Sequence, residues 1–274
     1  IFRDIPAQTI TRYSDDGNTI VSGPATYTHV VSTMDGSLRV PYSLGWSLQF
    51  DRELRPGLLL RLGYEGREVF RDFYVDPADA VSGRAQLRLF NSGRQSYREY
   101  QTQLRWKPVE RTTVYASYVY SRIRGDLNDY DQFFGNFPHP LIRPNQFGRL
   151  NSDAPHRGLV WGVIGLPHKL EFVPVLDVHT GFPFSRLDQD WNYLGKRNDA
   201  GRLRTFVSLD TKIQYPFDFT FHEHRIQFRA GLSILNVLNY FNPRDVQQHV
   251  DSPNFGTFYS SVGRLWRIEG GFDF

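Results

Sequence analysis

Arg264-Leu265-Trp266-Arg267-Ile268-Glu269-Gly270-Gly271-Phe272-Asp273-Phe274 is the stretch that decides the fold. Trp266, Ile268, Phe272 and Phe274 share one parity, and Arg267, Glu269 and Asp273 share the other. Successive side chains of a strand point to opposite faces, so this segment is apolar on one side and charged on the other. A soluble sandwich strand can alternate in this way, but rarely closes on an unprotected Phe. A strand of about ten residues, apolar outside and polar inside, is what a transmembrane β-barrel requires.

The same alternation runs back through the chain. Leu44, Trp46, Leu48 and Phe50 alternate with Gly45, Ser47, Gln49 and Asp51, and Leu58, Leu60, Leu62 and Tyr64 with Leu59, Arg61, Gly63 and Glu65. Tyr100, Thr102, Leu104 and Trp106 oppose Glu99, Gln101, Gln103 and Arg105; Val114, Ala116, Tyr118 and Tyr120 oppose Thr113, Tyr115, Ser117 and Ser121. Leu159, Trp161 and Val163 begin the next strand, which returns through Leu170 to Val178. Val207, Leu209, Thr211, Ile213 and Tyr215 oppose Ser208, Asp210, Lys212 and Gln214; Ile226, Phe228, Ala230, Leu232 and Ile234 oppose Arg225, Gln227, Arg229 and Ser233. Two Arg and a Gln on one face would be costly in lipid and are at ease in a wet lumen. This reading gives nine strands, with a tenth near Phe2 to Thr11 that Pro6 weakens.

Connections supply the second argument. Glu53 to Pro56, Lys107 to Arg111, Leu166 to Lys169 and Pro216 to Glu223 read as short turns, each with a Pro. Asp72 to Gln95, Ile123 to His156, Thr180 to Gly201 and Asn236 to Tyr259 read as long polar connections between them. Loops beyond about 12 to 15 residues are uncommon in compact soluble domains. Outer-membrane barrels have this asymmetry, with short periplasmic turns and long outer loops. A soluble sandwich or propeller does not account for long loops on one side only, and no repeat of about 40 residues marks propeller blades. The last strand then runs inward and leaves Phe274 on the periplasmic side.

Composition agrees with this reading and narrows the rest. The 274 residues carry a net charge of +3 and no run of Lys or Arg, which argues against nucleic acid as a partner. Having no Cys, the chain holds no disulfide framework, thiolate metal site or cysteine nucleophile. There is no apolar run of about 18 residues, so no transmembrane helix is expected. A mean hydropathy of -0.46 is compatible with barrel strands, where each apolar residue has a polar neighbour. Aromatic residues make up 15%, with 15 Tyr and 22 Phe, enough for interfacial girdles. Ile1-Phe2-Arg3-Asp4 has neither an initiator Met nor a signal-peptide pattern, so the chain reads as a C-terminal fragment or processed piece of a longer protein.

Several stretches resemble the TonB-dependent outer-membrane receptors, in the C-terminal part of their barrel. Ser208-Leu209-Asp210-Thr211-Lys212-Ile213 is similar to a late strand of that family. Arg229 to Asn239, with Asn236-Val237-Leu238-Asn239 followed by Phe241-Asn242-Pro243, resembles the penultimate strand and its loop entry. The last strand resembles the terminal signal read by the barrel-assembly machinery, carried by Arg267, Phe272 and Phe274, with Glu269 where that signal usually has Gly. Asn151 to Arg157, with Thr180-Gly181-Phe182-Pro183, is most like the receptors with a carboxypeptidase-regulatory-like N-terminal domain. The resemblance implies an all-β antiparallel transmembrane β-barrel. Residues 1–274 would form its C-terminal portion, about ten strands of a barrel of about 22. It further implies a place in the bacterial outer membrane and contact with lipid. A plug domain and TonB would act through an N-terminal part absent here. The implied function is capture and uptake of a scarce nutrient as an unknown small ligand, without catalysis or cofactor. A structural or adhesive barrel, anchoring loops that bind a partner protein or a glycan, is the alternative.

Candidate sites fall in the long connections. Trp191, Tyr193, Lys196 and Arg197 lie in one, and Tyr130, Phe133, Phe134 and His139 in another. Aromatic faces flanked by charge suit sugars, peptides or anionic chelates, and suit loop packing equally. Ser152, Asp153 and His156 are neighbours in sequence without the geometry of a triad. His222-Glu223-His224 falls in a turn, where solvated polar residues are the default. Asp188, Asp190, Asn192 and Asp199 have the oxygen spacing of a Ca²⁺ loop, but Tyr193 stands where the turn needs Gly, so a polar loop is expected and no metal.

Overall fold

The computed structural model describes residues 7–32, 39–77, 85–126, 141–221 and 224–273. The strands in chain order begin with β1 (Gln8–Tyr13), β2 (Ile20–Ser32), β3 (Tyr42–Arg55), β4 (Leu58–Pro77), β5 (Ala85–Val109) and β6 (Thr112–Gly125). Next come β7 (Gly148–Arg149), β8 (His156–Gly165), β9 (Glu171–His179), β10 (Pro183–Phe184), β11 (Gly201–Arg202) and β12 (Phe206–Phe221). The last are β13 (His224–Leu235), β14 (Pro243–Val246), β15 (Phe258–Ser261) and β16 (Leu265–Asp273). No helix among the described residues is long and apolar enough to cross a membrane.

Nine strands form one continuous antiparallel wall, in the order β3-β4-β5-β6-β8-β9-β12-β13-β16. Turns at 56–57, 110–111 and 166–170 close one end, where β12 and β13 also stay paired as far as Phe221 and His224, while 180–205 and 236–264 connect strands at the other. Short and long connections thus fall on opposite ends, as the alternation requires.

Cross-strand partners show which face each row occupies. Phe50, Leu62, Thr102 and Tyr118 form one row, and Leu60, Leu104, Ala116, Val160 and Leu176 another. Ile213, Leu232 and Ile268 continue this face at the far end of the wall. These side chains stand open: Leu48 is 73% exposed and Ile268 88%. The other face carries Asp51 bonded to Arg61 at 2.9 Å, Arg157 to Asp177 at 2.9 Å, Gln214 to Glu171 at 2.6 Å and Lys212 to Glu269 at 2.6 Å. One face is largely hydrocarbon and the other carries the polar and charged pairs, which is the section through a barrel wall.

Several boundaries differ from the sequence reading. The connection expected over 72–95 is largely strand: β4 and β5 stay paired up to Pro77 and Leu87, well beyond the aromatic row at Tyr64 and Tyr100. Asp72, Asp76, Arg88 and Gln95 make that extension read as loop, whereas its apolar residues, Val75, Leu87 and Leu89, are covered by other parts of the chain and not by lipid. Most of the turn expected over 216–223 is strand: β12 and β13 stay paired as far as Phe221 and His224, with Pro216 inside β12. Pro216 is tolerated because β9 pairs with β12 only as far as Gln214, so β12 is an edge strand there. Pro174 in β9 likewise lies where the ladder to β8 skips Gly162 and Val163. On β8 the expected parity is reversed. Trp161 pairs with Tyr115 and Val175 on the polar face, its ring stacked on Tyr115 at 4.2 Å, and Val160 takes the apolar face. An aromatic that lines a lumen looks, in sequence, like one that meets lipid.

Of the expected tenth segment, 2–6 lies outside the described residues and the remainder takes another place. β1 pairs with β2 as a hairpin, and β2 joins β5 in parallel at Ala85 to Arg88, beside the extension. Ile10, Tyr27, Val75, Leu87 and Ile142 bury one another there, with Ala25 and Leu89 against them. Among the described residues this cap holds the main apolar core, and the wall below has none.

Candidate functional site

The outer end of the wall is organised by polar loops that lock onto one another. Asp188 accepts from the Asn192 amide N–H at 2.8 Å and from its side chain at 3.0 Å, forming a local turn, and the Tyr13 hydroxyl donates to it at 3.2 Å. Asn198, in the left-handed region at φ 57, donates to the Arg149 carbonyl at 2.8 Å and to Asn151 at 2.6 Å. Its amide N–H reaches Ser185 Oγ at 2.8 Å. Loops 14–19, 141–155 and 180–205 are thereby tied together. Gly181 sits so close to the Leu203 carbonyl that a Cβ would come within 1.9 Å of it, so no side chain fits there.

Of the aromatic and basic residues singled out in the 180–205 loop, Tyr193 and Arg197 are buried, at 4% and 2% exposure. Arg143 stacks over Tyr193 at 5.1 Å, and Arg197 donates from its amide N–H to Gln146 at 2.8 Å and from its guanidinium to the Gly125 carbonyl. Trp191, at φ 67, meets the His249 ring edge-on at 4.2 Å. Lys196 is exposed and pairs with Asp15 at 2.9 Å. Three of the four therefore hold the loop together, and Lys196 faces solvent. Tyr130, Phe133, Phe134, His139, His222, Glu223 and Phe274 lie outside the described residues. Arg267 lies opposite Ser233 on the polar face, and Phe272 opposite Phe228.

Other candidate groups are separately engaged. Asp153, 4% exposed, binds Arg202 and accepts from the Ile123 amide N–H at 3.1 Å, whereas His156 bonds the Tyr118 hydroxyl at 2.7 Å. Asp199 pairs with Arg149 at 2.7 Å. Among the described residues no group of His, Asp and Glu is placed to hold a metal ion.

Two cavities open at this end. The inner one, about 540 Å³, lies on the polar side of the wall below the loops and is lined by His179, Phe182, Phe206, Ser208, Asp210 and Arg244 among others. His179 stacks on Phe206 at 4.6 Å, and Asp210 accepts from Ser208 Oγ at 2.7 Å and the Asn236 amide N–H at 2.8 Å. Asn242 extends the wall by pairing both its amide atoms with the Val207 backbone at 2.9 Å. Asn236 and Asn239 adopt left-handed φ of 50 and 49 at the loop entry. The Asn-rich run 236–242 is therefore a fold device, which gives this cavity its rim.

The second cavity, about 680 Å³, lies on the apolar side at the same level and collects Arg122, Arg124, Arg149, Lys196, Arg197 and Arg202. Sequence reasoning passed over Arg122 and Arg124. Their signal was the change from Tyr118 and Tyr120 to two Arg at the same parity of one strand.

Comparison with known proteins reaches the same fold. The chain is similar to the outer membrane transporter YddB from Escherichia coli, with a TM-score of 0.57 and 13% identity over 88% of this chain and 34% of that one. It is similar to the FrpB iron transporter from Neisseria meningitidis, with a TM-score of 0.56 and 13% identity over 89% of this chain and 32% of that one. It spans about a third of each. No family model and no curated protein matches it. The wall has the architecture of part of an outer-membrane transporter barrel.

Proposed function

We propose that this chain is the C-terminal barrel portion of a TonB-dependent transporter of the bacterial outer membrane. The carrying observation is the wall itself: apolar outside, charged inside, with long connections at one end only. In this reading the polar face lines a lumen around a plug, and the inner cavity beneath loops 180–205 and 236–264 takes part in ligand capture. Binding and passage are its whole activity. Asp153 binds Arg202 and His156 bonds Tyr118, so this reading assigns neither of them a catalytic role. The two edge strands, β3 and β16, each have one partner among the described residues, so further strands would complete the barrel. Expression of the full parent in a Gram-negative host tests this. The expected result is an outer-membrane protein whose electrophoretic mobility changes on heating and whose ligand uptake stops without TonB. A parent recovered folded and monomeric without detergent would overturn the reading.

A further inference from the structure

The apolar face changes character abruptly at its outer end. Tyr64, Tyr100, Tyr120 and His156 form one cross-strand row, with successive rings 4.9, 6.4 and 5.1 Å apart. The next row on that face is Gly66, Arg98 and Arg122, and the one beyond is Glu68, Ser96, Arg124 and Arg149. Arg98 thus stands directly opposite Arg122, and Arg124 directly opposite Arg149. Like charges in directly opposed positions destabilise a sheet.

The neighbourhood does little to offset this. Arg149 has Asp199, and Asp153 is taken by Arg202. Glu68 accepts from Ser96 Oγ at 2.8 Å. Among the described residues, Arg98, Arg122 and Arg124 form no ion pair. Arg122 lies over the Tyr120 ring at 5.5 Å and Arg124 over Phe147 at 5.7 Å, so aromatic faces hold both guanidiniums in place. They open onto the 680 Å³ cavity, which collects six basic side chains, of which Arg149, Lys196 and Arg202 are paired with Asp199, Asp15 and Asp153.

Position then names the ligand chemistry. Tyr and Trp rows mark the level of lipid headgroups. Two residues further along a strand is about 7 Å, so Arg98 and Arg122 meet whatever charge the headgroups carry. Arg guanidinium binds phosphate in a bidentate fashion, and basic residues at a membrane surface are drawn to anionic lipid. Below the cavity, Tyr100, Leu104 and Val160 offer an apolar track on the same face.

We propose that this cavity binds the phosphate groups of a phosphorylated glycolipid of the outer leaflet, whose acyl chains lie along that track. The proposal rests on the membrane orientation given under Proposed function. Free phosphate shares the head chemistry and lacks the acyl contacts, which separates the two sources.

Native mass spectrometry of the purified full parent in non-ionic detergent, titrated with diphosphoryl lipid A, tests it. Wild type should retain diphosphoryl lipid A at least tenfold more tightly than its dephosphorylated form, a comparison that needs no variant. The double variant Arg122→Gln/Arg124→Gln should lose at least tenfold of that affinity, and Arg122→Lys/Arg124→Lys should lose less. Millimolar pyrophosphate should leave the bound lipid in place. Equal retention of the phosphorylated and dephosphorylated lipids overturns the proposal, as does unchanged binding by an assembled Gln variant. Pyrophosphate bound as tightly as the lipid would make this a soluble-anion site and overturn it too. Heat-modifiable mobility of each sample reports barrel assembly independently, so failure of the transporter reading is distinguishable from failure of this site.

Discussion

At the scale of single residues, neighbours one position apart live in different solvents. Ile213 lies near the middle of β12, with Phe172 and Leu232 as partners on the apolar face. Gln214 lies between Glu171 and Gly231 on the polar face. Ile213→Arg in the parent should destabilise the barrel by about 2 to 4 kcal/mol, the cost of an Arg near the bilayer midplane. Gln214→Arg should be close to neutral, because the new guanidinium would meet Glu171. Urea titration of the two variants in lipid vesicles gives the difference, and equal costs would refute the assignment of faces. Leu232→Arg should behave like Ile213→Arg. Ser233 is a poorer control than its parity suggests: it is 5% exposed, with Lys212 and Arg267 as its two cross-strand partners. Sequence parity showed which way Ser233 points, and nothing in it showed those two cations. Glu269 is legible only in retrospect. It takes Lys212 at 2.6 Å and Ser233 at 2.9 Å, which accounts for a charged residue where the resembled signal usually has Gly.

At the scale of elements, the wall was readable and the cap was not. Alternation with period two survives any pairing partner, so β3, β4, β5, β6, β12, β13 and β16 could be read one at a time. The cap is built from contacts distant in sequence: Ile10 from β1, Val75 from β4, Leu87 from β5 and Ile142 from a loop. No local pattern announces such a core. Its polar side makes a pH dependence. Asp76, in the part of β4 beyond the aromatic row, accepts from Arg12 at 3.3 Å and from the Asn145 amide N–H at 3.0 Å. Burial raises its pKa to about 6 from 3.8, against the opposing pull of Arg12 and the Asn145 bond. The docked cap therefore holds an extra proton between about pH 4 and 6. Its docking is strongest below that window and weakens as the pH rises through it, by up to about 3 kcal/mol. Hydrogen exchange at the Gln8–Tyr13 amides, corrected for intrinsic rates, should show more protection at pH 5 than at pH 7. Asp76→Asn should remove the difference; a variant keeping the full pH dependence would assign it to another group.

At the scale of the whole molecule, the open edges govern behaviour. β3 is exposed along its whole length, and a row of unpaired backbone groups invites pairing with another chain. The 274-residue chain refolded alone in detergent should therefore associate, and its band should not shift on heating as a closed barrel's does. Amides of β3 and β16 should exchange faster than those of β6 and β9, which are paired on both sides. A monodisperse monomer with even protection across the wall would mean that the chain closes on itself.

The wall's apolar side chains do not interlock, and that has a consequence for how such a chain can drift. A liquid surrounding does not distinguish the shape of Leu48 from that of Phe or Val, whereas the solid surroundings of Ile142, at 0% exposure, do. Substitution among apolar letters is nearly free over most of the wall, while the hydrogen-bonded ladder, indifferent to those letters, keeps the strands in step. A TM-score of 0.57 at 13% identity fits that expectation for the fold: the metre can be kept while the text differs.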